Sequence, residues 1–196
     1  MVPPATTTSS AEIMEIIERV KQETSEALER GEVGTEPVGV EPRPIEDVTF
    51  DSIKAAYPKL LAANAIDPTY VSKSRNYSRQ FGSDIYLMFD NLQRTGSFKV
   101  RGSANFAYRH VEQHGKPDCL VAASAGNHAQ GVASISTKLG IPSEIVVPMY
   151  APETKIQSCR ALGANIIKYG NSIEQSMKYA KELVRRLDKA LPMELF

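Results

Sequence analysis

Short apolar runs alternate with helical segments in the second half of the chain, and this alternation constrains the fold more than any other feature. We predict strands at residues 119–123, 144–148 and 165–169, and helices at 127–139, 152–162 and 173–187. Strands joined by helices of this length are typical of a parallel sheet with helix-covered faces. The sequence therefore predicts an open α/β fold, in which ligands bind beyond the carboxyl ends of the strands.

A lysine stands at the predicted start of another helix, over residues 98–113, where Thr95 and Ser97 are candidate N-caps. Lys99 would lie near the positive end of the helix dipole, which disfavours a protonated amine. A partly desolvated lysine in that position loses proton affinity and becomes a better nucleophile towards an aldehyde. The alternative interpretation is a solvated lysine at the beginning of a helix.

Small and polar residues, Ser124-Ala125-Gly126-Asn127, separate the first predicted strand of the sheet from its helix. Backbone amides at such a helix N-terminus point outward together and bind anions. Small side chains allow a ligand to approach the backbone closely, and the Asn127 amide can donate to a phenolic oxygen. The alternative is an ordinary loop between a strand and a helix.

Taken together, Ser-Phe-Lys-Val-Arg-Gly at 97–102 and Ser-Ala-Gly-Asn-His-Ala-Gln-Gly at 124–131 resemble the threonine dehydratase group of fold-type II pyridoxal-phosphate enzymes. That group also contains serine dehydratases and serine racemases. The resemblance runs from about Asp47 to Leu187 and includes residues 67–69, 85–93 and 161–164. It implies pyridoxal 5′-phosphate as the cofactor and conversion of L-threonine or L-serine to a 2-oxoacid and ammonia.

The resemblance also implies roles for individual residues. Lys99 matches the lysine that forms a Schiff base with the cofactor and then acts as general base and acid. Phe98 matches the residue beside the pyridine ring, and Asn127 matches the asparagine that binds the 3′-oxygen of the cofactor. The loop that receives the substrate carboxylate matches Ser124, Ala125, Gly126, Asn127 and His128.

Three positions favour elimination over the other reactions of the fold type. Racemases of the group have a serine at the position of Ala125, where it serves as a second base, and alanine cannot transfer a proton. Relatives that catalyse β-replacement have threonine at the position of His128 and usually an acidic residue at the position of Val100. Racemisation, β-replacement and a non-catalytic truncated homologue remain the alternatives to a dehydratase.

Composition excludes several other classes of protein. The formal net charge is zero, so neither nucleic acid nor an anionic membrane is an expected partner. No apolar run approaches the length of a membrane span, and the first residues lack a signal-peptide core. Two cysteines indicate no disulfide framework. We expect a cytoplasmic protein without a metal site, whose partners are a small hydroxyamino acid and, when complete, further copies in a dimer or tetramer.

Three regions are predicted along the chain. Residues 1–46 form an extension with a disordered start, a helix at 11–30 and a linker at 31–46 that contains several prolines. Residues 47–117 resemble the N-terminal part of the large cofactor domain, which carries the lysine. Residues 118–196 resemble the small α/β domain with the asparagine loop.

The predicted N-terminal helix is amphipathic, with Ser9 or Ser10 as N-cap and Gly31 as its stop. We expect its apolar stripe to pack against the body of the same chain, with a partner subunit as the alternative. The stripe consists of Ile13, Ile16, Ile17, Val20 and Leu28.

Between the linker and the lysine we predict a helix at 50–63, an extended segment at 67–71 and a strand at 84–89. Relatives usually have lysine at the position of Met88 and glutamate at that of Asp90. These departures leave the local charge pairing open.

The resemblance further implies a glycine-rich loop for the cofactor phosphate and a partner for the pyridine nitrogen, in a region of more than a hundred residues that would follow Phe196. No comparable loop occurs among the 196 residues. We therefore expect an N-terminal portion of a longer enzyme, lacking the C-terminal part of the large domain, that binds cofactor weakly and has little activity alone.

Overall fold

The structure is a computed structural model that describes residues 9–30, 49–187 and 189–193. The helices among these residues are α1 Ser10–Glu29, α2 Phe50–Ala62, α3 Arg75–Phe81, α4 Lys99–His114, α5 Asn127–Leu139, α6 Glu153–Ala161 and α7 Ile173–Arg186. The strands are β1 Val71–Lys73, β2 Tyr86–Met88, β3 Cys119–Ala123, β4 Ser143–Val147, β5 Asn165–Lys168 and β6 Ala190–Pro192. No helix among the described residues is long and apolar enough to cross a membrane.

The predicted parallel sheet is confirmed. Four parallel strands lie in the order β5-β4-β3-β6. Strand β6 was not predicted, because its run of three residues is too short to show a period. It pairs with β3 on the side opposite β4, so β3 lies in the interior of the sheet. Proline is tolerated in β6 because this strand is at the edge.

Side chains of the sheet alternate between two separate cores. Leu120 and Ala122 of β3 point into the larger core, together with apolar residues of α2, α4, α5 and α6. Cys119 and Val121 of the same strand point into a second core beneath α1 and α7. Period-two alternation with both faces apolar is what a sheet covered on both sides requires. Both cysteines of the chain, Cys119 and Cys159, are free and buried.

Residues 49–98 contain a separate two-stranded sheet, the α-helices α2 and α3, and a 3-10 helix at Asp90–Leu92. Thr49 caps α2 through a capping box with Ser52, which explains where this helix begins. The strand predicted at 84–89 is shorter, at Tyr86–Met88, and pairs antiparallel with β1. Helix α3 was not predicted, because its seven residues include no buried side chain and so lack an apolar stripe.

Helix α1 packs against α7 on the second core, as we expected for its own chain. Ile13, Ile17 and Val20 are buried there, and the Tyr179 hydroxyl donates to the Ile17 carbonyl at 2.9 Å. Ser9 and Glu12 form the N-terminal capping box. Residues 1–8 of the predicted disordered start and the whole linker at 31–46, like the side chain of Leu28, lie outside the described residues. The division at residues 46 and 117 stays a prediction.

Candidate active site

Lys99 is the first residue of α4, one position later than the predicted start. Phe98 is the N-cap, but the cap makes no side-chain hydrogen bond. Ser97 instead accepts a hydrogen bond from the Lys99 amide at 3.2 Å, so it satisfies one of the free amides that a cap would serve. The Lys99 side chain is half-buried, and its Nζ lies 5.4 Å from the centre of the exposed Phe98 ring.

The loop before Lys99 is anchored to a distant turn of the chain. Gln93 is buried, and its side-chain amide accepts from the Asp67 amide at 3.0 Å and donates to the Asp67 carbonyl at 2.8 Å. Arg94 binds both carboxylate oxygens of Asp67 and the Asn64 carbonyl. These charge-assisted bonds hold the pKa of Asp67 below its usual value. These bonds therefore fix the position of the loop that leads into Lys99 and α4.

Arg101, half a turn beyond Lys99, forms the local charge pair that the sequence left open, since relatives usually have other residues at Met88 and Asp90. Its guanidinium lies 2.8 Å from the Asp90 carboxylate, donates to the Thr69 hydroxyl, and lies over the Tyr57 ring. Met88 is exposed. Asp90 therefore finds its cationic partner on α4.

The turn between β3 and α5 leaves the N-terminus of α5 open. Ser124 is buried, and its hydroxyl accepts from the Gly126 amide at 3.2 Å. Gly126 is the extended N-cap of α5, and no side chain among the described residues caps this end. Asn127 is the first residue of the helix and is exposed. Uncapped amides beside an exposed carboxamide can bind an anionic or phenolic oxygen.

Helices α4 and α5 approach each other closely at Gly131, one turn beyond Asn127. A Cβ atom at Gly131 would lie 2.8 Å from the Ser103 hydroxyl and 3.3 Å from the Lys99 carbonyl oxygen. Glycine allows this approach, since any side chain here would require the Ser103 hydroxyl to rotate and the Lys99 carbonyl to shift. It places the first turn of α4, with Lys99, beside the first turns of α5.

His128 is buried beside this junction. Its Nε2 lies 2.9 Å from the Met193 carbonyl oxygen. Burial lowers the pKa of the imidazole, the bond to Met193 opposes that change, and the charge of Lys99 lowers the pKa further.

Comparison with known proteins identifies the family that this arrangement belongs to. The family described as "pyridoxal-phosphate dependent enzyme" matches residues 62–194. The chain belongs to this family. The match includes Lys99, the Ser124–Gly126 turn and Asn127, and it confirms the fold type expected from the sequence. It does not include α1.

Named relatives of this pyridoxal-phosphate enzyme catalyse more than one reaction. An L-threonine ammonia-lyase from Thermotoga maritima is 43% identical over 133 residues, which are 68% of this chain and 32% of that protein. Threonine deaminase isoform 2 from Solanum lycopersicum aligns with a TM-score of 0.63 and 29% identity over 74% of this chain and 41% of that one. Serine racemase from Dictyostelium discoideum aligns with a TM-score of 0.66 and 28% identity over 74% and 47%. The chain therefore spans about a third to a half of the relatives it matches.

The described residues fit the cofactor of the family. The half-buried Lys99 offers an amine to an aldehyde, and the exposed Asn127 offers a carboxamide to a phenolic oxygen. The exposed Phe98 ring offers an apolar face. No three metal-binding side chains cluster anywhere in the described parts of the chain.

Several residues that build the site were not identified from the sequence. Gln93, Arg94 and Asp67 act over long sequence distances, which no local pattern reveals. Gly131 gave a usable signal, because a glycine inside a helix often marks a close approach. The bond from His128 to Met193 joins residues 65 positions apart and had no signal at all.

Proposed function

We propose that this chain carries the lysine-bearing part of a pyridoxal-phosphate lyase that converts L-threonine or L-serine to a 2-oxoacid and ammonia. The observation that supports the proposal most strongly is the junction at Gly131, where the start of α4 with Lys99 meets the uncapped start of α5. The relatives named threonine ammonia-lyase and threonine deaminase support the same reaction.

Each residue has a role in the proposal. The Lys99 amine would hold the cofactor through its aldehyde and, once the amine of the substrate has displaced it, would accept the proton of the substrate α-carbon. The Asn127 carboxamide would hold the 3′-oxygen of the cofactor, and the Phe98 ring would offer an apolar face to the pyridine. The loop of Ser124, Ala125, Gly126, Asn127 and His128 would bind the substrate carboxylate at the start of α5, through amides other than those of Ser124 and Gly126, which already donate within the protein. When bound, pyridoxal phosphate supplies the electron sink that makes the α-proton acidic.

Ala125 decides the type of reaction in this proposal. Its side chain is half-buried against the larger core and carries no group that titrates. Lys99 is the base on one face of the cofactor in this proposal. Ala125 cannot provide a second base on the opposite face of the cofactor. One-sided proton transfer favours elimination, although a serine racemase shares the fold.

The role of Lys99 is tested by chemical trapping. The chain is incubated with pyridoxal phosphate and then with borohydride, which fixes a carbonyl compound to the lysine it has reacted with, and the modified residue is located by mass spectrometry. We expect the modification at Lys99. It should be lost in Lys99→Ala and retained in the control Lys54→Ala, whose lysine lies on α2 over the Phe50 ring. Equal modification of many lysines, with none preferred, would remove Lys99 from this role.

The reaction type is tested in the complete enzyme by the ratio of its products. We expect 2-oxobutanoate from L-threonine or pyruvate from L-serine, with little D-amino acid. Ala125→Ser should raise the share of D-amino acid. If chiral chromatography shows D-serine as the main product of the unsubstituted complete enzyme, the assignment to elimination is wrong.

Partners and location complete the proposal. A cytoplasmic protein is supported by two free, buried cysteines. Small hydroxyamino acids as substrates are supported by the names of the relatives. We further propose a dimer or tetramer of the complete enzyme, and this is tested by light scattering.

A further inference from the structure

Met193 is held from both sides of the turn that carries the proposed ligand-binding amides. Its own amide donates to the Val121 carbonyl of β3 at 2.7 Å. Its carbonyl oxygen lies 2.9 Å from Nε2 of His128, in the first turn of α5. Val121 and His128 flank the Ser124–Gly126 turn on its two sides. Met193 therefore closes a ring of contacts around the turn.

The direction of the bond to His128 follows from its chemistry. A carbonyl oxygen can only accept, so the ring nitrogen Nε2 must carry a proton. Burial and the neighbouring Lys99 charge both favour the neutral ring. The imidazole is thus the tautomer protonated on Nε2, and this nitrogen is engaged by the protein. The His128 side chain is buried, whereas the side chain of the adjacent Asn127 is exposed.

We propose that His128 is a positioning residue, and that with Met193 it clamps the Ser124–Gly126 turn in the shape that presents the amides of α5 to a ligand. The inference rests on the proposed function, since it assigns to this turn the task of binding the substrate. In this proposal the side chain of His128 holds the turn in place, whereas its backbone belongs to the loop that binds the substrate carboxylate. The clamp also gives β6 a function, because Met193, the residue that follows this strand, supplies the carbonyl.

The clamp explains why an edge strand of three residues matters for the site. Strand β6 pairs with β3 through Cys119, Leu120 and Val121, next to the residues that lead into the turn. The Met193 side chain is buried in the larger core, which fixes the position of its backbone. The carboxyl end of the sheet is held together here, where α/β proteins bind ligands.

The experiment compares three variants of the chain. His128→Leu removes the donor, and His128→Gln keeps an N–H that can reach the Met193 carbonyl. Tyr179→Phe is the matched control, because it removes another buried side-chain bond to a backbone carbonyl, on the opposite face of the sheet. Amide hydrogen exchange of residues 121–133 is measured without cofactor, and borohydride trapping at Lys99 is measured with it.

We expect His128→Leu to accelerate exchange in residues 121–133 and to reduce trapping at Lys99 by about tenfold, the equivalent of one lost buried hydrogen bond. His128→Gln should restore both to within about threefold. Tyr179→Phe should accelerate exchange in α1 and α7 and leave trapping unchanged. Equal effects of His128→Leu and Tyr179→Phe on trapping would show a general loss of stability and overturn the clamp.

Two further outcomes separate the clamp from the proposed function. If the unsubstituted chain is not trapped at Lys99 while His128→Leu still loosens residues 121–133, the clamp stands and the cofactor assignment fails. If His128→Leu does not fold, nitrogen NMR of the unsubstituted chain decides. The clamp requires a neutral ring protonated on Nε2 at pH 7, and a ring protonated on Nδ1 alone would overturn it.

Discussion

Replacement of Gly131 by alanine should push the lysine helix away from the turn that faces it. The new Cβ atom would lie 2.8 Å from the Ser103 hydroxyl and 3.3 Å from the Lys99 carbonyl oxygen. The hydroxyl can rotate, since it has no hydrogen-bond partner among the described residues. The carbonyl is part of the backbone of α4, so relief there requires that backbone to shift by a few tenths of an ångström.

The magnitude follows from two opposing effects. Overpacking of a close-packed interior costs about 1 to 3 kcal/mol. Alanine inside a helix is intrinsically better than glycine by about 0.5 to 1 kcal/mol. We therefore expect a net loss of about 0 to 2.5 kcal/mol in the free energy of unfolding of Gly131→Ala.

The matched control is Gly102→Ala on the facing helix. Gly102 lies inside α4, and no atom comes within 4 Å of its added Cβ. The same substitution should therefore stabilise the protein there by up to about 1 kcal/mol. Urea unfolding measures both variants, and borohydride trapping measures whether Lys99 has moved.

A double variant separates the two clashes. Ser103→Ala removes the hydroxyl but leaves the Lys99 carbonyl, so combined with Gly131→Ala it should recover only a minor part of the lost stability, because the unpartnered hydroxyl can already rotate away. If Gly131→Ala is as stable as Gly102→Ala and traps cofactor normally at Lys99, the reasoning about close approach is refuted.

Three further predictions concern other parts of the chain. Burial raises the pKa of Glu144 above its ordinary 4.5. The protonated side chain therefore contributes its full stability at lower pH, and this contribution is lost as the pH rises through the raised pKa. Urea unfolding from pH 4 to 8 should show this loss in the unsubstituted chain but not in Glu144→Gln. Ile17→Ala should weaken the docking of α1 by about 2 to 4 kcal/mol, seen as faster amide exchange in α1, whereas Met14→Ala at an exposed position should not. Gln93→Ala, which removes two bonds to the Asp67 backbone, should lower the free energy of unfolding by about 1 to 3 kcal/mol and reduce trapping at Lys99.

Strands and helices of the sheet region could be predicted from the sequence because their signals are local. The strand at 119–123 and the helix at 127–139 match the structure at both ends. Apolar runs bounded by Gly126 and Gly140 carry enough information, since the breaking residues stand next to the elements they end. The short elements α3 and β6 were missed because neither contains a full period of an apolar pattern.

For the site, too, residues in continuous motifs could be predicted from the sequence, whereas the contacts between distant residues that support them could not. The lysine and asparagine motifs are continuous in sequence, so the resemblance identified them and the family match supports the assignment of the cofactor. The support for Lys99 is discontinuous, because Gln93 and Arg94 bind a turn 26 to 30 residues earlier in the chain. The prediction of Thr95 or Ser97 as the N-cap was wrong, because the N-cap is Phe98. The Ser97 hydroxyl nevertheless accepts a hydrogen bond from the Lys99 amide.

The sequence by itself determined the class of fold and the chemical groups of the site, because periodicity and motif chemistry are properties of neighbouring residues. Only the tertiary structure decided how those groups are held. The close approach at Gly131, the pairing of Asp90 with Arg101 and the bond from His128 to Met193 each join elements that the chain brings together by packing. The physical reason is that a long-range contact depends on the summed geometry of every element between its two residues, and no local pattern encodes that sum.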